Sequence, residues 1–477
     1  MLKKFVGDKA FYRMVLMIAV PIMIQNGFTN FVNMLDNLMV GRIGTDEMNG
    51  VAIVNQLIFV FNLSIFGGLS GAGIFTSQFH GSGNKEGVKS VFRVKLIISA
   101  VILIVGVAVL WFLQEPLIGL FLNEGGETGD PVATMNFAKQ YLAIMLIGLL
   151  PFSINQCYIS TLRELGQTVA PMKTGVLAVV INLVFNYILI FGKLGPVQIM
   201  EPMGVRGAAI ATVLSRIVEC VTIVVWTNHH AEEYSFAKKI FKGWHIPKAL
   251  AIDVTKKGIP LLVNEFLWSS AKTVISQCLS LRGLAVVGAL NITNTVYNVF
   301  NVVFIALGSS VAIVVGKLLG AGKMKEARDT DNKMIAFSVV SCVALALLMA
   351  VIAPFFPKIY NTTQEVHSMA TTVILIVALL MPVHAFNHAA YFTLRSGGKT
   401  FITMLFDSCF IWVVSVPCAF LLTRFTDLPI IPIYFACEAV ELIKSVLGFF
   451  FVRSDKWMQN IVAETETEEV QMQAAES

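Results

Sequence analysis

One carboxylate stands inside a stretch that is otherwise apolar. From Pro21 to Gly41 the chain reads PIMIQNGFTNFVNMLDNLMVG, long enough to cross a bilayer, with Asp36 near its far end. Gln25, Thr29, Asn33 and Asp36 follow at spacings of four, four and three residues, and Asn26, Asn30 and Asn37 lie beside them. At 3.6 residues per turn these form one broad polar face. An ionised Asp at mid-membrane costs about 2.5–3.5 kcal/mol and is normally turned toward protein or a wet cavity. The stripe therefore predicts a pathway behind it, lined by Gln25, Thr29 and Asn33 and ending on a titratable group.

Further polar residues fall at helical spacing in other apolar runs. Asn182 and Asn186 are one turn apart, and Asn186 is about as far from its helix end as Asp36 is, so the first and fifth helices can present one carboxylate and two amides at one depth. In the second half Glu265, His388 and Asp407 fall at similar depths, and His384, His388, Tyr391 and Arg395 make a polar stripe. Asn291, Asn294, Asn298 and Asn301 make another, which either lines a cavity or bonds neighbouring helices. Arg216 with Glu219, and Glu441 with Lys444, are spaced as internal ion pairs. Pro21 lacks an amide hydrogen and weakens its helix, which makes it a hinge or a fixed kink. His384 and His388 have zinc-ligand spacing without a third ligand nearby, so no metal is expected. GSGNKEG and GAGKMKEA do not fit a phosphate-binding loop and read as tight turns; no constellation suggests an enzyme or a cofactor.

The elements that must position these residues are legible in composition. The 477 residues are 56% hydrophobic and 14% charged, against about 25% charged in soluble chains. Mean hydropathy is +0.75. Twelve apolar runs, near 14–40, 51–79, 96–113, 137–160, 170–192, 205–227, 258–281, 284–316, 334–354, 368–394, 400–423 and 429–452, predict twelve membrane helices. Basic residues crowd the N-terminus and the even-numbered loops: Lys85, Lys89, Arg93 and Lys95 in the second, Lys317 to Lys333 in the eighth. The positive-inside rule then puts both termini in the cytoplasm. That alternation also explains the net charge of +5 without nucleic acid. Seven cysteines, all in apolar runs and none in a CxxC pair, imply no disulfide framework.

The chain also repeats itself. TLRELGQT (161–168) returns as TLRSGGKT (393–400), and the Gly-rich segment after the second helix is echoed after the eighth. Pro21 and Pro260 correspond, as do Glu219 and Glu441. Six helices per copy give parallel repeats, with a substrate route between them. The expected organisation is a lobe at 1–227, a basic linker at 228–257, a second lobe at 258–453 and an acidic tail at 454–477.

Taken with the MVGRIG that follows Asp36, the Asn182/Asn186 pair before FG, the GxG and LRxxGxT loops and the ending LGFFFVRSDKWMQN, this pattern resembles the multidrug and toxic-compound extrusion (MATE) family over about residues 10–460. The resemblance implies an all-α, V-shaped membrane protein of two pseudo-symmetric six-helix lobes. It implies an antiporter exporting amphiphilic, often cationic compounds in exchange for protons or sodium. It also assigns cation coupling to Asp36, with Asn182 and Asn186 beside it, and bending to Pro21. Many members carry a second Asp on helix five, where this chain has Asn186; proton exchange needs one carboxylate, so protons are favoured over sodium. Some members form a cation site from a Glu on helix seven and an Asp on helix ten. Glu265 fits loosely, and His388 is the titratable group on helix ten in place of a carboxylate.

The expectation is thus a plasma-membrane antiporter whose substrates are small organic cations, surrounded by lipid, monomeric and without cofactor. The alternative is a flippase for a lipid or lipid-linked sugar, which calls for a more cationic cavity. A channel is disfavoured by the repeat and the lone carboxylate.

Overall fold

A computed structural model describes residues 5–122, 130–194, 197–238, 240 and 246–463. Among them are twelve helices longer than twenty residues: α1 (Lys9–Gly41), α2 (Thr45–Ser82), α3 (Lys85–Phe112), α4 (Pro131–Glu164), α5 (Val169–Phe191), α6 (Gly204–His229), α7 (Lys248–Ser280), α8 (Leu284–Gly320), α9 (Met324–Ile352), α10 (Gln364–Ser396), α11 (Thr400–Phe425) and α12 (Ile430–Arg453). Each coincides with one predicted apolar run, none of which overruns its helix by more than two residues, so the all-α twelve-helix class holds. Continuous helix is what an apolar medium demands, because it satisfies every backbone N–H and C=O within the segment. Ten of the twelve are apolar enough to cross a membrane by composition alone. The other two, α7 and α12, carry Lys256, Lys257, Glu265 and Lys272, and Glu438, Glu441 and Lys444.

Three features depart from the sequence reading. α7 starts at Lys248, inside the stretch read as linker, because Ala249, Leu250 and Val254 give its first turns a buried face. Glu265 is therefore the eighteenth residue of its helix, not the seventh. Second, α3 starts at Lys85, and Arg93 and Lys95, counted as loop charges, are buried: Arg93 Nε donates to the Ile240 carbonyl at 3.1 Å and Lys95 pairs with Glu164 at 2.5 Å. Third, α11 contains two π-helical stretches, Leu405–Cys409 and Ile411–Ser415, which no periodicity announced. The two GxG segments are tight turns as expected: Gly83 and Gly322 have φ of +80° and +73°, open to glycine at little cost. The acidic tail beyond 463, linker residues 239 and 241–245, and loop residues 123–129 lie outside the described residues.

The chain forms two compact units. One comprises Met1–Met23, Gly73–Asn84 and Pro247–Ser477, the other Ile24–Ala72 and Lys85–Ile246. α1 thus passes from one unit to the other just after Pro21, and α2 does so at Ala72. α1 is a single helix through Pro21. In the first unit Phe300 and Phe304 of α8, Val373, Val377 and Met381 of α10, and Met349 of α9 make a dense apolar core. There the chain also continues beyond α12 into a strap, Ser454 to Ala463, whose Trp457, Ile461 and Val462 are buried. In the second unit α4, α5 and α6 pack closely, with Leu142, Met145, Leu149, Ala209 and Ile223 at their centre.

Candidate functional site

In the second unit α1 delivers Asp36 to α5. Asn186 Nδ2 donates to Asp36 Oδ1 at 2.5 Å and to Asn182 Oδ1 at 3.1 Å. Asn182 Nδ2 donates in turn to Thr212 Oγ1 of α6 at 3.3 Å. With the Asn182 amide turned over, its nitrogen comes 2.9 Å from Asp36 Oδ2 and its oxygen accepts from Thr212. That orientation gives each carboxylate oxygen a donor, so an ionised Asp36 selects it. Asn182 and Asn186 are buried, whereas Asp36 is partly exposed. Among the described residues Asp36 has amide partners and no ion pair. Such a carboxylate can take up a proton or a cation without first breaking a salt bridge.

Tyr141 of α4 and Asn55 of α2 bond one another at 3.4 Å in the same unit. Tyr141, Asn55 and Thr212 were not singled out by sequence, since a lone hydroxyl or amide on an apolar helix has no periodic signature.

The stripe on α1 is not uniform. Thr29 and Asn33 are exposed, and Thr29 Oγ1 donates back to the Gln25 carbonyl at 2.9 Å. Gln25 is 8% exposed, packed on Gly175, and its side-chain oxygen accepts from Arg163 Nη2 at 2.5 Å. Gln25 is therefore a buried tie between α1 and α4, set apart from the exposed residues of the stripe. Four residues at regular spacing span enough of a helix's circumference for one end of the row to turn inward.

The first unit holds a second polar cluster. Lys444 Nζ of α12 is 2.6 Å from Asp407 Oδ1 and 3.8 Å from Glu441 Oε2, the latter pair as spaced in sequence. Asp407 lies in the first π-helical stretch of α11, and its Oδ2 accepts from Asn264 of α7 at 3.2 Å. Asn387 Nδ2 of α10 bonds Glu441 Oε2 at 2.9 Å. His384 Nε2 lies 3.1 Å from Glu438 Oε2, which gives that histidine a carboxylate partner. The His388 ring stands 5.0 Å from the Phe304 ring, centroid to centroid, and Glu265 accepts from the Tyr391 hydroxyl at 3.5 Å. Asn291, Asn294 and Asn298 on α8 are exposed and separate from these bonds. Arg216 and Glu219 are not within ion-pair distance of one another among the described residues; Arg216 lies over the Phe152 ring at 5.1 Å. No group of three or more His, Cys, Asp or Glu among the described residues is arranged to hold a metal ion.

The Asp407–Lys444 pair yields a stability prediction. Lys444→Met leaves a buried carboxylate uncompensated and should cost about 3–5 kcal/mol. The double variant Asp407→Asn/Lys444→Met should regain most of it. Thermal unfolding of the three purified proteins checks this, and equal losses in the single and double variants would contradict the pairing.

A family model described as MatE matches residues 21–188 and 260–421, one segment in each half. "Probable multidrug resistance protein NorM" of Thermotoga maritima is 26% identical over 449 residues, covering 93% of both chains. "Multidrug resistance protein PmpM" of Pseudomonas aeruginosa is 28% identical over 410 residues, covering 84% of this chain and 82% of its own. A solved structure described as the outward-facing conformation of a multidrug resistance MATE family transporter superposes with a TM-score of 0.82 at 17% identity, over 94% of this chain and 96% of that one.

Proposed function

The chain belongs to the MatE family, and on that footing we propose that it is a secondary active antiporter, exporting amphiphilic or cationic organic compounds in exchange for protons or sodium. The observation that carries the reading is Asp36: a carboxylate inside an apolar helix, bonded by Asn186 at 2.5 Å and free of any ion pair among the described residues. Ionised, it attracts a cationic cargo; protonated, it does not. Proton exchange is favoured over sodium because a sodium site here would have one carboxylate and neutral oxygens around it.

Coupling follows if proton and cargo prefer different states of one equilibrium between lobes, since a ligand indifferent to the two states shifts nothing. The lobes are assigned to 1–227 and 258–453; of the joining stretch 228–257 the last ten residues belong to α7, and of the tail 454–477 the first ten form the strap. The basic loops assign both termini to the cytoplasmic side of a plasma membrane. Pro21 is assigned as the hinge of α1, and Thr29 and Asn33 with Asn291, Asn294 and Asn298 as cavity-lining residues. Glu265 and His388 are secondary coupling candidates. The cargo class is supported by the relatives' descriptions as multidrug resistance proteins. The transporter is taken to act as a monomer.

Efflux of ethidium from vesicles holding the purified protein tests this, with pH and sodium gradients imposed separately. A proton gradient directed against the efflux should accelerate it, and sodium alone should not. Efflux indifferent to both gradients would refute antiport.

A further inference from the structure

A buried acid in the first unit takes no part in the sites described above. Asp331, the eighth residue of α9, is 1% exposed. Among the described residues its one bond is to Thr393 Oγ1 of α10, at 2.6 Å. Charged side chains of the same unit are engaged elsewhere. On α9 Arg328 bonds Asp455 and the Arg453 carbonyl, and Lys333 lies over the Phe11 ring of α1. Lys323, just before α9, pairs with Glu326, and Lys444 of α12 pairs with Asp407. Neither Lys317 of α8 nor Arg395 of α10 forms an ion pair with it.

The repeat makes the contrast sharp. In the first half the corresponding threonine, Thr161, receives a hydrogen bond from Lys95 at 3.0 Å, and Lys95 is balanced by Glu164. Among the described residues Asp331 has no such counter-charge.

The proton count at Thr393 decides the chemistry. Its hydroxyl has one hydrogen and two acceptors in range, Asp331 Oδ1 at 2.6 Å and the Ala389 carbonyl at 3.0 Å. Donation to the carbonyl one turn back is the usual habit of a helical threonine. With the hydrogen placed there, the 2.6 Å contact is a bond only if Asp331 carries a proton and donates it. If Asp331 is ionised, Thr393 must abandon Ala389, and the carboxylate is left as a buried anion with one donor.

The strap packs beside this acid: Trp457 shares an apolar cluster with Ala327 and Met334, one turn either side of Asp331 on α9, and with Leu394 of α10. Thr393 lies one turn from the end of α10, and its carbonyl accepts from Ser396 Oγ at 2.7 Å. The Ser396 carbonyl accepts from Gln78 Nε2 at 3.1 Å. Gln78, fully buried at the end of α2, also donates to the Gln459 carbonyl and accepts from the Ile461 amide at 2.9 Å. A Cβ on Gly397 would meet the Trp457 carbonyl, so the strap lies directly on the last turn of α10.

We infer that Asp331 is a proton-binding site of the second half, holding its proton while the strap is closed and releasing it to water when the strap opens. Ionisation requires hydration that the closed packing excludes. Proton affinity and strap closure must therefore favour one another reciprocally. The release step is simple: the Asp331 O–H bond breaks, the proton passes to water, and the Thr393 hydroxyl turns from Ala389 to the carboxylate. The inference rests on the antiporter reading for its use in transport, but the site can be tested without it.

Hydrogen–deuterium exchange of residues 454–463 in the full-length protein in nanodiscs reads strap opening between about pH 5 and pH 9, once corrected for intrinsic exchange. In the wild type the corrected exchange should rise at least about tenfold toward high pH. Asp331→Asn, permanently neutral and able to donate to Thr393, should keep the low-pH level throughout. Asp36→Asn should retain the wild-type response, which separates this site from the first. A wild-type strap whose corrected exchange is flat across that range overturns the inference, and this result needs no variant to fold. A pH response that survives Asp331→Asn, or that disappears with Asp36→Asn, overturns it as well.

Discussion

Asp36→Asn should reduce gradient-driven efflux by about 100-fold while leaving the protein folded. The substitution is close to isosteric, and the new side-chain oxygen can still accept from Asn186, whose nitrogen is 2.5 Å from Asp36 Oδ1 in the native chain. What it removes is the one group at this place that changes charge. Coupling free energies between ligands are typically 1–3 kcal/mol, and removing the upper part of that range corresponds to the expected loss. Stability should not fall, because the variant no longer keeps an ionisable group in an apolar helix. The measurement is paired: ethidium efflux under an imposed pH gradient, and the unfolding midpoint of the same preparation. Undiminished efflux would remove Asp36 from the coupling mechanism. Loss of both efflux and fold would show only that the site is structural, and Asp36→Glu would then serve, since it keeps a titratable group and should retain pH-dependent transport. Truncating either asparagine should act more weakly. Asn182→Ala or Asn186→Ala takes one donor from the carboxylate and leaves the other, which shifts the pH dependence of efflux without abolishing it.

The fold was legible in this sequence because its governing constraint is crude. About twenty apolar residues in a row leave little choice but a helix, and the residues of α1 and α8 announce themselves in that way. Even α7 and α12 are legible, although Glu265 and Lys272 in the one and Glu438, Glu441 and Lys444 in the other make them more polar or more charged than a simple span. The Asp36–Asn182–Asn186 contact was legible for a related reason. Counting helical rise from two helix ends places the three at one depth, and depth is nearly all that matters when helices run side by side.

What escaped was rotation and local geometry. The row Gln25, Thr29, Asn33, Asp36 looked like one face, but its first member turns toward Arg163 of α4, a partner more than a hundred residues away. Arg93 and Lys95 looked like surface charges because nothing local shows that Glu164 and the Ile240 carbonyl will meet them. The π-helical turns of α11 leave no mark in a pattern of period 3.6, yet one of them carries Asp407 to Lys444. The strap is the clearest case. SDKWMQN reads as part of a family-like ending, and its structural content, with Trp457 buried among residues of α8 and α10 and Ile461 just beyond it against Gly398, depends wholly on tertiary packing.

Gly320→Ala should destabilise the protein by more than about 3 kcal/mol, the upper end of what overpacking normally costs. An added Cβ at Gly320 would lie 1.9 Å from the Gln78 carbonyl oxygen, and one at Gly81 would lie 1.9 Å from the Lys317 carbonyl oxygen. Both obstacles are backbone, so no rotamer change relieves them; α2 and α8 would have to part. Two controls separate this from a general intolerance of alanine. At Gly308 the nearest atoms belong to the Phe392 ring at 2.5 Å, which can swing, and the cost should be smaller. At Gly27 nothing lies within 4 Å, and alanine there should be neutral or stabilising by up to about 1 kcal/mol through helix propensity. Unfolding midpoints of the four purified variants should therefore rank Gly27→Ala above Gly308→Ala, with Gly81→Ala and Gly320→Ala well below both. A reversed order would mean that the two helices do not approach this closely. The close approach also explains why Gln78 can anchor the strap at all. Without side chains at Gly81 and Gly320, the end of α2 comes near enough for one buried amide to bond the backbone at Ser396, Gln459 and Ile461 together. A bulkier residue at either glycine should loosen that anchor along with the crossing itself.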